Sequence, residues 1–551
     1  MGAFTRRLAA LNANTATPQR YVFVAYDQLH DAFVPDDAGV VVVECPDKAG
    51  RRPYHRQKLA LVLTNVRHFA LEQAGRGRRV RHVVSEGDYA LALQEVVDET
   101  GPLSCARPAE RELRVELQSL VDAGALSFTR HPGWLSTEAD FLAASSTAAA
   151  AGAPPWRMDG FYRALRRRTG WLMEGDKPRG GRFSFDGDNR ERWPGTPPAP
   201  TPPTFAVDDV TAEVGALVHD RYASHPGTLD LTALPASAAD AAALWRWAKT
   251  ACLPHFGPFE DAMSTASRGL FHTRLSPVLN LHRLLPRAIV DDVLDLDLPL
   301  SSQEGFLRQV IGWREFVHHI HERTDGFRRG PGCSPDGAPS ILGAREPLPP
   351  AFWPAAPSTT TTTNSSMAPG YGAPSGLNCL DRVVEDVWAE GYSHHITRLM
   401  VLANIATLLD VEPRALTDWF WAAYVDAYDW VVEPNVLGMG TFAAGDLMTT
   451  KPYVAGSAYI DKMSDYCGGC AFRPKKPVED GGCPLTPLYW AFLHRHADIL
   501  GGVERMKLPM ASARKRTPEQ RSADERVYAI TRRILTAGER LTPARLRGNA
   551  G

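Results

Sequence analysis

"RYVFVAYDQLHDAFVPDDAGVVVVEC", residues 20–45, holds two short apolar runs rich in valine, separated by a polar turn. A strand with one wet face alternates apolar and polar residues. A strand covered on both faces reads as a continuous apolar run, and such strands belong to parallel sheets flanked by helices. The next segments fit that pattern. "HRQKLALVLTNVRHFALEQAGRG" has apolar residues at helical spacing and stops at glycine, "RRVRHVVSEG" reads as another strand and "DYALALQEVVDETG" as another helix. Residues 20 to about 150 therefore predict a doubly wound α/β unit. No G-x-G-x-x-G follows the first strand, so the ordinary dinucleotide fingerprint is absent.

Further along, the composition changes. "GDKPRGGRFSFDGDNRERWPGTPPAPTPPTF" (175–205) is too dense in Gly and Pro to hold long regular elements. From about residue 236 the pattern is helical almost throughout, as in "AADAAALWRWAKTACL", "SSQEGFLRQVIGWREFVHHIHERT" and "LDRVVEDVWAEGYSHHITRLMVLANIATLLD". A threonine-rich stretch, "PSTTTTTNSSMAPGYGAPSG" (357–376), reads as a loop. The expected division is an α/β domain over 1–150, a connector over 151–235 and an all-helical domain over 236–551.

The 551 residues suffice for two or three domains with a large core. A net charge of −2 excludes a global basic field, so any nucleic-acid surface must be a local patch. No run of 18 apolar residues occurs and the N-terminus lacks a signal-peptide core, so a cytoplasmic protein with no membrane partner is expected.

In a reducing compartment clustered cysteines point to metal. Cys467, Cys470 and Cys483 form C-x2-C-x12-C-P, one thiolate short of a tetrahedral set, and Cys379 is the nearest further candidate. One C-x2-C with a remote cysteine fits a [4Fe–4S] cluster somewhat better than paired zinc knuckles; both remain open. "GLFHTRLSPVLNLHRLLP" (269–286) is either a phosphate-holding helix start or an ordinary capped helix, the blander reading being the stronger. "GWREFVHHIHE" (312–322) lacks the i, i+4 spacing of a zinc pair and reads first as a solvated helix face. His394 and His395, adjacent in a long predicted helix, point about a hundred degrees apart, so both meet one pocket only near its edge. A proton donor near neutral pH and a core-plus-surface pair are the two readings.

Taken in order, "YDQLHD", "YHRQKLALVLTNVRHFA", "MDGFYR", "KPRGGRFSFDGDNR", "FGPFEDAM", "FHTRLSPVLN", "FLRQVIGWREF", "NCLDR", "YSHHITRLMVL", "PNVLGMGTFAAGDLMTTKPY" and "YIDKMSDYCGGC" resemble the iron–sulfur bacterial cryptochromes and photolyases, within them the prokaryotic (6-4) photolyases. The resemblance spans nearly the whole chain. It implies an N-terminal antenna domain, a long connector and a helical FAD domain. It makes Cys379, Cys467, Cys470 and Cys483 the ligands of a [4Fe–4S] cluster. It assigns Thr273, Arg274, Leu275, Ser276, Asn280, Trp313, Arg314 and Asn435 to FAD. Asp27, Gln28, Glu44, Tyr54, His55 and Lys58 fall in the segments that hold a 6,7-dimethyl-8-ribityllumazine antenna. His394, His395, Tyr453 and Tyr459 match the lesion pocket. Trp419 matches an electron-relay tryptophan, with Tyr371 near the expected position of another. Phe420 stands where relatives can carry tyrosine, and phenylalanine is much harder to oxidise than tyrosine.

The activity implied is light-driven repair of (6-4) photoproducts by a (6-4) DNA photolyase acting as a monomer on UV-damaged DNA. Arg163, Arg166, Arg167, Arg168, Lys177, Arg179, Arg182 and Arg190 are candidates for a phosphate-binding patch. A cryptochrome-like photoreceptor without repair, and a light-independent nucleic-acid-binding protein with structural zinc, are the competing readings.

Overall fold

The computed structural model describes residues 2–144, 154–354 and 372–548. Strands β1 (Arg20–Phe23), β2 (Ala38–Glu44), β3 (Val80–Val84), β4 (Leu103–Ala106) and β5 (Leu126–Thr129) form one parallel sheet in the order β3-β2-β1-β4-β5. Arg20 of β1 pairs with Ala38 of β2, and all of β2 is buried, as its unbroken valine run requires. Helices α1 (Arg56–Gly75), α2 (Tyr89–Thr100) and α3 (Arg111–Asp122) supply the crossovers and cover. The winding reverses between β1 and β4, so the carboxyl ends of the strands open a crevice there.

Residues 175–205 contain only two-residue strands and single turns of helix, in line with their Gly and Pro content. On either side the chain is regular, with α4 (Met158–Thr169) and α5 (Asp209–Arg221). α5 packs on α1 through Arg67, which bridges Glu44 of β2 (2.7 and 2.9 Å) and Glu213 of α5 (2.9 Å). Arg166 of α4 is fully buried and donates to the carbonyls of Trp171 (3.2 Å), Leu172 (2.6 Å) and Phe183 (2.8 Å). It braces this bend and is not part of a surface patch. Arg166→Met leaves three carbonyls without their donor, at about 1–3 kcal/mol each when buried. Urea unfolding is expected to show a loss of about 3 kcal/mol or more.

Among the described residues every strand precedes residue 179, and the remainder is helical. The long helix expected through the histidine pair is in fact two. α6 (Asn378–Glu390) ends at Gly391, which takes the left-handed conformation (φ +64°) that glycine adopts without a Cβ penalty. Tyr392–His394 belong to no helix, and helix resumes at His395. The wide i→i+5 turns Arg308–Arg314, Thr397–Ala403 and Pro434–Gly440 interrupt three further helices, and α7 (Pro413–Ala423) carries the buried Trp419.

Candidate functional site

The break at Gly391 frees His394 from the helical rotation, so both imidazoles reach one cavity. That cavity, about 280 Å³, is walled by the 272–276 segment, by the three wide turns through Gln309, Arg398 and Asn435, and by Phe420 and Asp426. Arg398 and Asp426 form a two-pronged ion pair (3.0 and 2.9 Å), and Ser276 donates to the same carboxylate at 2.6 Å. Asn280 ties the Asp426 carbonyl at 2.8 Å. Neither Arg398 nor Asp426 stood out in the sequence; their only signal is that arginine follows the histidine pair by three residues.

Two carboxylates set the electrostatics. Asp261 Oδ1 lies 3.7 Å from His395 Nε2, and Tyr459 Oη donates to Asp261 Oδ2 at 3.3 Å. Glu260 accepts from Asn189 and Gln309, both at 2.7 Å, and burial raises its pKa to about 7. Desolvation lowers the His395 pKa, but the pull of Asp261 and Glu260 outweighs it and the net shift is upward. His394 is buried; burial first, then His395 and Arg398, hold its pKa well below the ordinary range. One histidine of the pair therefore favours the proton and the other refuses it. A third, His272, stacks on His394 with ring centroids 4.4 Å apart and planes 11° from parallel. One ring nitrogen from each of the three lies within 4.8 Å of the others. The stack argues against a shared metal ion, since an ion lies in the plane of each imidazole it binds and two parallel planes do not meet.

Of the eight residues assigned to FAD by resemblance, Thr273, Arg274, Leu275, Ser276 and Asn435 line the cavity, and Asn280 braces it from behind. Trp313 and Arg314 stand outside it. Arg314 turns toward the N-terminal half, over Trp134 (4.3 Å) and against His282 (3.2 Å). Tyr459 meets the site through Asp261; Tyr453 stands beyond the cavity, in the field of Arg505 and Asp186.

Phe420 lines the cavity and Trp419 sits behind it, with centroids 5.0 Å apart. From Trp419 the rings continue to Trp388 (6.2 Å) and Trp353 (5.5 Å, stacked), which lies in a surface groove. Both Trp419 and Trp388 donate to the Phe352 carbonyl, at 3.0 and 2.8 Å. Tyr371 lies outside the described residues.

A second cavity, about 90 Å³, opens at the carboxyl ends of β1 and β2 against α1, closed by Trp421 and Tyr428 of the helical half. Glu44, Tyr54 and Lys58 line it; Asp27, Gln28 and His55 do not. Gln28 donates to the Ala106 carbonyl (2.8 Å), while His55 caps α1 and stacks on Trp388 (5.6 Å). Both carboxylate oxygens of Asp27 are buried without a hydrogen-bond partner, and burial raises its pKa to about 7. The Tyr26 and Tyr428 hydroxyls in the cavity wall are also unpartnered, and Lys48 is paired with Glu110 at 3.0 Å.

Cys379, on the first turn of α6, shares a small enclosed cavity with Cys467, Cys470 and Cys483. All four are free thiols. Gly482 lets the chain close on itself beside Cys483: a Cβ there would meet the Lys476 carbonyl at 2.0 Å. Burial, and then the neighbouring sulfurs, push the Cys483 thiol up to about 12.

Three of the eight basic candidates are ion-paired. Arg168 pairs with Asp140 (3.0 Å), Arg182 with Asp188 and Arg190 with Asp186 (2.5 Å), while Arg179 donates to Gln303 (3.3 Å). Arg163 and Arg167 lie over the Phe183 ring, and Lys177 is exposed.

The sequence model described as "Deoxyribodipyrimidine photo-lyase-related protein" matches residues 22–233. A (6-4) photolyase of Agrobacterium fabrum is 31% identical over 495 residues, 86% of this chain and 90% of that protein. An uncharacterized protein of Acanthamoeba polyphaga mimivirus is 42% identical over 66 residues, 12% of this chain and 54% of its own. The crystal structure of a bacterial class III photolyase from Agrobacterium tumefaciens superimposes with a TM-score of 0.50 at 16% identity, over 93% of this chain and 99% of that one. That likeness carries the fold: a parallel five-stranded α/β domain followed by a largely helical region. The chain belongs to the deoxyribodipyrimidine photolyase-related family, the family of the prokaryotic (6-4) photolyases.

Proposed function

We propose that the protein repairs (6-4) pyrimidine photoproducts in DNA by light. The observation that carries this reading is the pair of imidazoles on one cavity wall, of opposite proton preference, beside the Arg398–Asp426 ion pair. The cavity fits FAD by its donor set: hydroxyls at Thr273 and Ser276, cations at Arg274 and Arg398, the Asn435 amide and an apolar wall. Reduced FAD, when bound, supplies the light-driven electron donor. The protein's share is to hold and orient, to exclude water, and to deliver a proton. His395 stands at the open side, its side chain 42% exposed, where an extruded damaged dinucleotide would meet it. Asp261 and Glu260 favour its protonated form; His394, whose pKa burial lowers, has an unpartnered buried Nδ1 and offers a second hydrogen-bonding group.

The four cysteines line one small enclosed cavity, which fits four thiolates around the [4Fe–4S] cluster that the resemblance implies. The cavity at β1 and β2, with its unpartnered hydroxyls and buried Lys48–Glu110 pair, fits a polar heterocycle such as a ribityllumazine antenna.

Trp419, Trp388 and Trp353 provide a route from a surface reductant to the cavity edge that bypasses Phe420 as a redox group. Trp388→Phe interrupts it at its centre. Photoreduction of bound flavin by an external thiol, followed by absorption, is expected to slow severalfold with flavin content unchanged. The cheapest test of the whole reading is the spectrum and iron content of the purified protein. Flavin bands with iron support it; a colourless zinc protein sinks it.

A further inference from the structure

His272 takes no part in the sequence-based reading, yet it is fully enclosed at the floor of the site. Its Nε2 lies 3.1 Å from the main-chain carbonyl of Glu260. A carbonyl only accepts, so Nε2 carries the hydrogen and, in the neutral ring, Nδ1 carries the lone pair. One face of the ring lies flat on His394 and its edge meets His395 at 5.3 Å; Phe256 closes the other side at 5.6 Å. Burial, then the two neighbouring histidines, hold it neutral. Residues Glu260 and Asp261 thus act twice over. The carbonyl of one fixes His272, while the carboxylates of both face His395.

We propose that His272 is a positioning residue which, by stacking on His394 from a fixed tautomer, keeps that ring neutral and assigns the mobile proton to His395 alone. The inference rests on the repair reading for its purpose but not for its test. The charged groups that bear on the pair are Asp261, Glu260, Arg398 and Arg274. Burial, then His395, Arg398 and Arg274, depress the His394 pKa, and the His272 ring supplies part of that burial by covering one face of His394. A proton on His394 would be held out of water, flat against a second buried imidazole.

The test is proton NMR titration of the imidazoles in flavin-loaded protein, with repair measured across the same pH range. In the unaltered protein one imidazole of the pair is expected to titrate between about pH 5 and pH 9 and the other to stay silent. His272→Ala opens the stack to water. Both imidazoles are then expected to titrate, in two overlapping steps, and repair at neutral pH to fall about tenfold with flavin content retained. His272→Phe keeps a flat neutral ring and should restore the single titration. If His272→Ala fails to hold flavin, His272→Gln is read in its place, because it keeps a donor to the Glu260 carbonyl and loses the stack. A silent His394 and an unchanged pH profile in the stack-deficient variant overturn the proposal. Because the titration needs no substrate, a protein that binds flavin but repairs nothing would refute the repair reading and still decide this one.

Discussion

His395→Ala loses light-driven repair by about 10²- to 10⁴-fold while keeping its flavin and its hold on damaged DNA. The size follows from what the side chain does: it is the one imidazole of the site that two carboxylates favour in the charged form. The other residues lining the cavity and the Arg398–Asp426 pair are untouched by the change. The pH dependence has a definite sign. In the repair reading proposed above the ring acts in its protonated form, and its pKa is raised above the ordinary imidazole value of about 6.5. Activity is therefore full on the acid side and falls as pH rises through that raised value. Asp261→Asn removes the nearer anion, so the fall moves to lower pH. Single-turnover repair under saturating light, measured from acid to alkaline buffer, checks both points. Full-rate repair by His395→Ala would end its role as proton donor.

If the four cysteines hold the proposed cluster, Cys379→Ser is expected to lose it and to destabilise the helical half with it. Cys379 begins α6, and its three partners lie between residues 467 and 483. The other ties between these segments are the Asn378 amide on the Tyr466 carbonyl at 2.7 Å and the apolar packing of Leu377, Ile460, Phe472 and Leu485 around the same cavity. Free energy of binding a structural metal counts directly as folding free energy, on the order of 10 kcal/mol for zinc modules. The variant should lack iron, lose the brown absorption and accumulate as insoluble chain. Cys333→Ser, outside the cysteine cavity, serves as control and should remain soluble and iron-replete. A stable, soluble, flavin-loaded Cys379→Ser protein would show the cluster to be dispensable for the fold.

The sheet was legible because burial on both faces leaves a mark in one dimension: Val40–Val43 admit no polar residue. The helical half was legible as helix but not as broken helix. Apolar periodicity continues across Gly391, and only the left-handed φ of that glycine shows that the chain turns. The wide turns at Arg308, Thr397 and Pro434 were invisible, since an i→i+5 bond changes no residue type. The site suffers most from this. Motif matching brought Thr273, Ser276, Asn435 and both histidines to one cavity, but sent Trp313 and Arg314 there as well, although the structure aims Arg314 at Trp134 and His282. Glu260, Asp261, His272, Arg398 and Asp426 went unremarked because each matters through a partner far away in sequence. The aromatic route through Trp388 and Trp353 was hidden for the same reason, since stacking is a property of the fold.

The most direct measurement is illumination of reduced, flavin-loaded protein with an oligonucleotide carrying a single (6-4) photoproduct, followed by chromatography of the strand. The account predicts intact adjacent pyrimidines in the light and none in the dark. An unaltered lesion after prolonged illumination of protein with full flavin content would contradict it, and would leave a light sensor as the better description.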